Sequence, residues 1–309
     1  MTSSQETGFG SSAVKSGFVA LVGRPNAGKS TLVNAVVGEK VAIVSDRPQT
    51  TRHRLRAILD REDAQVVFVD TPGLHKPIDA LGEELNRSAL MALSDVDVAC
   101  LIIDASNKVG RGDEWVAKHV AKAKAKRVLV MTKADLVSQE AVMAQLVAAR
   151  KFGTFDAEIV VSAKDSFNVD GFIDEIVGLL PVGPRYFPRD MATDQPLEVM
   201  IAEFIREKVL LGTHDEIPHA VGVAVDEFKY NEVRDITSVH AVVYVERDSQ
   251  KGIIVGRGGE MIKQIGTQAR VDLERLLGGR VFLELNVKVK KDWRRDASQI
   301  KRFGYGEGL

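Results

Sequence analysis

Eight residues near the amino end, Gly23-Arg24-Pro25-Asn26-Ala27-Gly28-Lys29-Ser30, have the spacing G-x-x-x-x-G-K-[ST] of a loop that cradles phosphates. Glycines let backbone amides close around phosphate oxygens, and the helix that such a loop opens adds partial positive charge at its amino end. In that arrangement Lys29 reaches the β and γ phosphates, and Ser30, with Thr31 beside it, offers its hydroxyl to Mg²⁺. Asp70-Thr71-Pro72-Gly73 places a carboxylate at the end of an apolar run, which suits a Mg²⁺-linked acid. Gly73 there supplies an amide for the γ-phosphate and a pivot. Thr132-Lys133-Ala134-Asp135 ends another apolar run. An Asp in that place accepts from guanine N1–H and the exocyclic amine together, a donor pair that adenine lacks, so Asp135 selects GTP over ATP. Ser162-Ala163-Lys164 ends the next run, where a backbone amide meets guanine O6.

A second glycine pattern lies far down the chain. Ile253-Ile254-Val255-Gly256-Arg257-Gly258-Gly259-Glu260-Met261-Ile262-Lys263-Gln264-Ile265-Gly266 contains G-x-x-G, Gly256 to Gly259, opening a helix. This looks like a KH domain, whose glycine loop clamps a nucleic-acid backbone while the bases lie on an apolar groove. Arg257, Lys263 and the helix amino end face phosphates. Ile253, Ile254, Val255, Ile262 and Ile265 line the groove or pack the core. Further on, Lys288-Val289-Lys290-Lys291-Asp292-Trp293-Arg294-Arg295 sets basic residues beside an indole. Single-stranded bases stack on such aromatics, so Lys290 and Trp293 are RNA-contact candidates. The alternative is a solvated strand end with Trp293 in the core.

The elements that must position these residues can be read from apolar periodicity. Phe18 to Val22, Val66 to Val69, Val98 to Ile103, Arg127 to Met131 and Ile159 to Val161 are short, continuous and β-branched, as in strands buried on both faces of a parallel sheet. Helical patterns lie between them at Thr31 to Val37, Asp113 to Lys124, Glu140 to Lys151 and Val169 to Leu180. The order predicts a doubly wound α/β domain over 17–180. Residues 181–196, which hold a cluster of prolines, read as a stiff linker. From 197 to 309 the pattern changes to a small α+β domain: a helix at Leu197 to Leu211, strands at His219 to Tyr230 and Thr237 to Arg247, and a helix at Ile262 to Leu277. A strand with strict alternation over Val281 to Val289 closes it, half-buried in a sheet open on one face. Residues 1–16 read as a loose tail rather than a signal peptide.

Composition excludes several classes. The chain has 309 residues, 45% hydrophobic and 28% charged, values of a globular protein rather than a disordered or collagen-like one. A single cysteine, Cys100, forbids an intrachain disulfide and reads as a buried inert thiol. No apolar run approaches the ~20 residues of a membrane helix, so a cytoplasmic address is expected. The histidines show no metal spacing. The formal net charge is −1, but from Glu246 onward fourteen Lys/Arg stand against nine Asp/Glu, which suggests a polyanion partner for that end. The run Lys118 to Lys126 reads as a solvated helix face, with a peripheral membrane contact as the alternative.

The motifs in this order, together with Gln49-Thr50-Thr51-Arg52-His53-Arg54 and Asp70-Thr71-Pro72-Gly73-Leu74-His75, resemble the Era family of bacterial ribosome-assembly GTPases, from about Gly17 to Phe303. The resemblance implies a P-loop GTPase domain followed by a type II KH domain that binds the 3′ end of 16S rRNA during assembly of the 30S subunit, with no obligate protein partner. It implies that Gly23 to Thr31, Asp70 to Leu74, Thr132, Lys133, Asp135, Ser162 and Ala163 hold GTP or GDP. Gln49 to His53 becomes switch I, with Thr50 or Thr51 closing on Mg²⁺, and Asp70 begins switch II. Lys29, Thr51, Gly73 and Asn26 become the catalytic set, Asn26 standing where related GTPases ligate K⁺. The family usually carries Asn at the position of Thr132, so weaker nucleotide binding is expected, by about 1 kcal/mol for one net hydrogen bond. Leu74 stands where Ras-type enzymes carry a water-positioning glutamine, so slow intrinsic hydrolysis is expected. Two other readings stay open. One is an RNA-binding module whose GTPase half is vestigial, for which Thr132 speaks; the other is a GTP-dependent switch acting on a membrane or protein.

Overall fold

A computed structural model describes residues 14–305. Residues 1–13 of the expected tail and residues 306–309 lie outside the described part, while Val14 to Ser16 already belong to the first strand. The first unit runs β1 (Val14–Gly23), α1 (Lys29–Val37), β2 (Leu55–Asp60), β3 (Ala64–Asp70), α2 (Ala80–Met91), β4 (Val98–Asp104), α3 (Arg111–Val120), β5 (Lys126–Thr132), α4 (Gln139–Ala149), β6 (Ala157–Val160), α5 (Val169–Leu179) and the short β7 (Val182–Gly183). The sheet order is β2-β3-β1-β4-β5-β6, with β7 beside β1. Strands β3, β1, β4, β5 and β6 are parallel, and β2 joins β3 antiparallel.

Pleating divides the buried strands between two apolar layers. Val19 and Leu21 of β1 pack with α1 and α5, through Leu32, Val36, Phe172 and Ile176. Ala20 and Val22 face the other way, toward Val116, Val120, Val142 and Leu146 of α3 and α4. Because the five strands run the same way, their carboxyl ends lie along one edge. That edge carries Gly23, Asp70, Asp104, Thr132 and Ser162, where ligands bind in open α/β sheets. The register pairs Leu21 with Asp70, so the acid stands beside the loop that leaves β1.

The second unit runs α6 (Leu197–Gly212), α7 (Ile217–Ala220), β8 (Gly222–Asn231), β9 (Ile236–Val245), α8 (Asp248–Val255), α9 (Glu260–Leu277), β10 (Val281–Val289) and α10 (Ala297–Arg302). Its sheet has the order β10-β9-β8, with β10 parallel and β8 antiparallel to β9. Ile201, Ile205 and Val209 of α6 meet Ile265, Ala269 and Leu273 of α9 over Val239, Ala241 and Val243. The other face of β10 exposes Glu284, Asn286 and Lys288.

Periodicity alone missed β2, α2, α7, α8 and α10, and the strand read from His219 begins at Gly222, because His219 and Ala220 end α7. Strand β2 is a sheet edge whose alternation is blurred by Ile58 and Leu59 side by side. The start of helix α2 is set by a local cap, Asp79 Oδ1 accepting from the Gly82 amide at 2.8 Å. The stretch 181–196 is fastened along the first unit: Arg185 binds Asp60 at 3.0 Å, and the Tyr186 and Phe187 amides donate to Gln65 Oε1 at 2.7 and 2.9 Å. The two units share an apolar cluster in which Leu81 and Leu85 of α2 meet Tyr244, Trp293, Ile300, Phe303 and Tyr305.

Candidate functional site

The loop between β1 and α1 turns through two left-handed residues, Asn26 (φ 61°) and Gly28 (φ 84°). A Cβ on Gly28 would sit 3.4 Å from the Thr132 side chain, so the loop is backed closely by the end of β5. Helix α1 starts at Lys29 with no acidic residue in its first turn, which leaves its amino-terminal N–H groups and dipole open to an anion. The Lys29 ammonium is buried and donates to the carbonyl of Arg24 at 3.0 Å. Burial pushes it down to about 8, opposed by the nearby Asp70 carboxylate. Arg24 is exposed and drawn to Asp113, 3.4 Å away.

Three oxygens from three elements converge beside Lys29. Ser30 Oγ donates to Asp70 Oδ2 at 2.6 Å and lies 2.9 Å from Thr51 Oγ1. Asp70 is fully buried, and its Oδ1 has no hydrogen-bond partner among the described residues. Burial pushes its carboxyl up, with Lys29 and Ser30 opposing. Two hydroxyls and an under-satisfied carboxylate form a hard-oxygen set that fits Mg²⁺ completed by phosphate oxygens and water. With only one carboxylate the set is a poor cage by itself, in line with the absence of any metal-holding His/Cys/Asp/Glu cluster among the described residues. Of the two switch I threonines it is Thr51 that faces the cleft. Thr50 turns back, its hydroxyl donating to Arg47 O at 2.6 Å.

On the base side, Thr132 corrects an expectation. Its hydroxyl donates to Ala27 O at 2.7 Å and approaches Ile103 O at 3.2 Å. The tie between base loop and phosphate loop that a carboxamide usually makes is therefore made here by a hydroxyl, and the expected loss of one hydrogen bond does not follow. Lys133, itself left-handed (φ 57°), binds Asp104 at 2.7 Å. Asp135 is exposed and oriented by Ser162 Oγ, which donates to its Oδ1 at 2.7 Å; the half-buried Ala163 follows. Asp104 was not anticipated; its signal was its place at the end of β4, in line with Asp70 and Thr132.

Gly73 packs on the phosphate loop so closely that a Cβ would lie 2.5 Å from the Pro25 backbone. Thr71 ties the strand end to Leu21 O at 2.8 Å, and Pro72 is buried. Leu74 offers only backbone: its amide donates to Gly23 O at 3.0 Å while its side chain lies in the core. His75 Nε2 stands 2.9 Å from Gln49 Nε2 and joins the segment after Asp70 to the one that carries Thr51. Asn26 Nδ2 donates to Asp46 O at 2.6 Å.

In the second unit, Gly256 (φ 75°), Gly258 (φ 61°) and Gly259 (φ 83°) all take the positive φ that glycine favours. A Cβ on Gly256 would meet Met261 at 2.7 Å, whereas Gly258 and Gly259 face open space. Arg257 and Lys263 are exposed. Beside the loop, α9 and β10 bound a groove of about 400 Å³ floored by Ile262, Gly266, Leu283 and Leu285. Ile254 and Ile265 are core, and Ile253 is exposed. Lys290 is half-buried at the end of β10.

Trp293 requires a correction. It is completely buried, its indole N–H donates to Ala220 O at 2.8 Å, and Phe303 and Tyr305 roof it. No face is left for a base, because the chain doubles back through α10 to cover it. In the lysine run, Lys118 pairs with Glu114 at 2.8 Å and Lys126 with Asp156 at 3.2 Å. No helix among the described residues is long and apolar enough to cross a membrane.

Comparison with known proteins places this geometry. A family described as a 50S ribosome-binding GTPase matches residues 18–133, and the KH domain family matches residues 216–294. GTPase Era of Staphylococcus haemolyticus is 46% identical over 294 residues, covering 95% of this chain and 98% of that protein. A variant of Aquifex aeolicus Era, crystallised with GDP and tetrafluoroaluminate, superposes with a TM-score of 0.92 at 35% identity over 95% of this chain and 100% of its own. A structure of Era with MgGDPNP and nucleotides 1506–1542 of 16S ribosomal RNA matches with the same score, identity and coverage. The chain belongs to the Era family of GTPases.

Proposed function

We infer that this member of the Era family of GTPases is a GTP-hydrolysing switch that grips the 3′ end of 16S rRNA with its second unit and acts in assembly of the 30S subunit, in the cytoplasm. The observation that carries the reading is the meeting of Ser30, Asp70 and Thr51 within hydrogen-bond distance. Those residues belong to the phosphate loop, the end of β3 and switch I. A cation held by all three would tie the phosphate loop and the end of β3 to the segment that carries Thr51. The Era relative that carries MgGDPNP and a 16S fragment supports both the nucleotide and the RNA.

The chain's own residues divide the work. Backbone amides of Gly28 to Ser30 and the α1 dipole hold phosphate, and Lys29 gives up its hydrogen bond to Arg24 O to meet the β and γ oxygens. The Gly73 amide approaches the γ side, and Asp135 selects guanine. Mg²⁺ held by Ser30, Thr51 and Asp70 would neutralise charge that develops on the transferred phosphoryl group. Asn26, whose Nδ2 donates to the Asp46 carbonyl at 2.6 Å, would release that bond to turn its Oδ1 toward K⁺ as a second cation on the same side. With Leu74 turned into the core, no side chain at that position orients water, so turnover is slow in the isolated protein. The RNA backbone lies on Gly256 to Gly259 with Arg257 and Lys263, and its bases enter the α9–β10 groove.

The test is binding of a fluorescent single-stranded 16S 3′-end RNA to the full chain in buffer containing a GTP analogue or GDP, with GTP turnover followed in K⁺ and in Na⁺. RNA binding that is tighter with the analogue, and turnover that is faster in K⁺, are expected. A chain that bound no RNA in either buffer, or released no phosphate, would sink the reading. Equal rates in K⁺ and Na⁺ would remove only the second cation.

A further inference from the structure

We propose that Arg52 is a positioning residue for GTP hydrolysis, plugged into the second unit so that the KH-bearing half of the molecule holds Thr51 over the cation cleft. The inference rests on the GTPase reading and adds to it the part that keeps switch I closed.

Thr51 and Arg52 are neighbours in the irregular segment that leads into β2, and their side chains go to opposite sides of it. Thr51 faces Ser30 Oγ at 2.9 Å. Arg52 points the other way, into the second unit, and is completely buried. One guanidinium nitrogen donates to Val221 O; the other donates to His219 O at 3.0 Å and Pro218 O at 3.2 Å. These carbonyls belong to the end of α7 and the turn after it, groups that a helix terminus leaves without partners. The Arg52 guanidinium stands beside two aromatic rings, 5.6 Å from Trp293 and 5.3 Å from Tyr305, which are themselves 5.9 Å apart. This gives the buried Trp293 and the returning carboxyl-terminal segment a role: they wall the socket.

The adjoining residues are held from the same side. Arg206 of α6, completely buried, donates to the Thr50 carbonyl and is itself locked by Glu203. Glu207 Oε1 accepts from the Val44 amide at 2.9 Å. His53 stands 3.6 Å from Glu203 with its ring against Tyr305. Switch I is therefore fastened before, at and after Thr51, and each fastening comes from α6, α7 or the carboxyl-terminal segment. Among the described residues no carboxylate pairs directly with Arg52. A buried arginine held by carbonyls and rings is costly to strand, so withdrawing Thr51 from the cleft pulls a charged plug from its socket. Adjacent Cα atoms are about 3.8 Å apart, which leaves little slack between the two ends of this lever. Coupling of this kind is reciprocal: what the second unit contributes to Thr51, a nucleotide that engages Thr51 returns to the second unit.

Arg52→Ala and Arg52→Lys in the full chain test it. Lysine keeps the charge but cannot span three carbonyls. The readouts are GDP affinity, kcat for GTP, and the Mg²⁺ concentration giving half-maximal turnover. We expect Arg52→Ala to lower kcat and raise the Mg²⁺ midpoint by about tenfold each, the scale of a lost charged hydrogen-bond set, with GDP affinity within about twofold because GDP does not engage Thr51. Arg52→Lys should recover part of both. Native kcat and Mg²⁺ midpoint in both variants would overturn the proposal; if Arg52→Ala fails to bind GDP and so to fold, native values in Arg52→Lys alone overturn it. Absence of GTP turnover in the unaltered protein is a different outcome: it sinks the GTPase reading and the proposal with it.

Discussion

Two glycine loops of this molecule, Gly23 to Ser30 and Gly256 to Gly259, open helices and offer backbone amides to phosphate, yet they are built in opposite ways. The first is enclosed. Thr132 backs Gly28, the Gly73 segment presses on Pro25, and Asn26 reaches across to Asp46. The second stands free at Gly258 and Gly259, with open space where a side chain would go. The difference matches the ligands. A triphosphate is a small dense anion whose hydrolysis needs donors preorganised in a water-poor site. A polynucleotide backbone slides over an open ridge and takes its specificity from the groove beside it.

The enclosed loop should fail hardest. Lys29 is buried at the head of the loop, so Lys29→Ala is expected to slow GTP turnover by about 100- to 1,000-fold, the cost of removing a preorganised transition-state partner. RNA binding by the GDP-loaded protein should be unchanged, and phosphate release with RNA titration on one preparation checks both. The open loop should fail more gently and without harm to the fold. Gly258→Asp puts a carboxylate where RNA phosphate would lie. Asp tolerates positive φ better than most residues, and nothing lies within 4 Å to clash. RNA affinity is expected to fall about thirtyfold, near 2 kcal/mol, with GTP turnover in the absence of RNA untouched. A large drop in melting temperature for Gly258→Asp would break the contrast between enclosed and open loops.

Enclosure also makes the first loop titrate. Lys29 is pushed down to about 8 by burial in the free protein, and bound phosphates favour its charged form. Below pH 8 both states hold the proton, and affinity is flat. Above it the free protein has lost a proton that binding must restore, so GTP affinity should weaken about tenfold per pH unit. Backbone amides do not titrate, so the RNA loop should show no such step. Calorimetry from pH 7 to 9.5 in buffers of different ionisation enthalpy would reveal proton uptake on GTP binding, and its absence would show that Lys29 does not carry the charge.

The same contrast explains what was legible in the sequence. The phosphate loop, Asp70, Asp135 and the glycine loop of the second unit could be read because each depends on a few consecutive residues and a strand or helix end next to them. Thr51 could be narrowed only to a pair, since choosing between neighbours in a segment without regular structure needs to know which side faces the cleft. Trp293 was misread for a reason that no local pattern reveals. It is flanked by lysines and arginines, but Phe303 and Tyr305 return over it and Arg52, more than two hundred residues earlier in the chain, fills the space beside it. Strand β2 escaped because an edge strand need not alternate cleanly. The fastening of switch I to α6 depends wholly on the packing of one unit on the other.

The smallest expected effect tests whether the enclosure is chemical or merely steric. Thr132 stands where the family usually has Asn, yet its hydroxyl holds Ala27 O at 2.7 Å. Thr132→Ala removes that donor and leaves two buried carbonyls, Ala27 O and Ile103 O, with one bond fewer. The loss should cost about 1 kcal/mol, or roughly fivefold in affinity for GDP and GTP alike, because the tie fixes the loop and not the γ-phosphate. Thr132→Asn restores a donor by a longer reach, so its affinity should stay within about twofold of native. Fluorescent nucleotide titration of the three proteins decides between two physical accounts. A fivefold gain in Thr132→Asn would mean that the hydroxyl is an incomplete substitute and that the loop is looser than its hydrogen bonds suggest. No loss in Thr132→Ala would mean that packing against Gly28, where a Cβ would lie 3.4 Å from the threonine, holds the loop without the hydrogen bond.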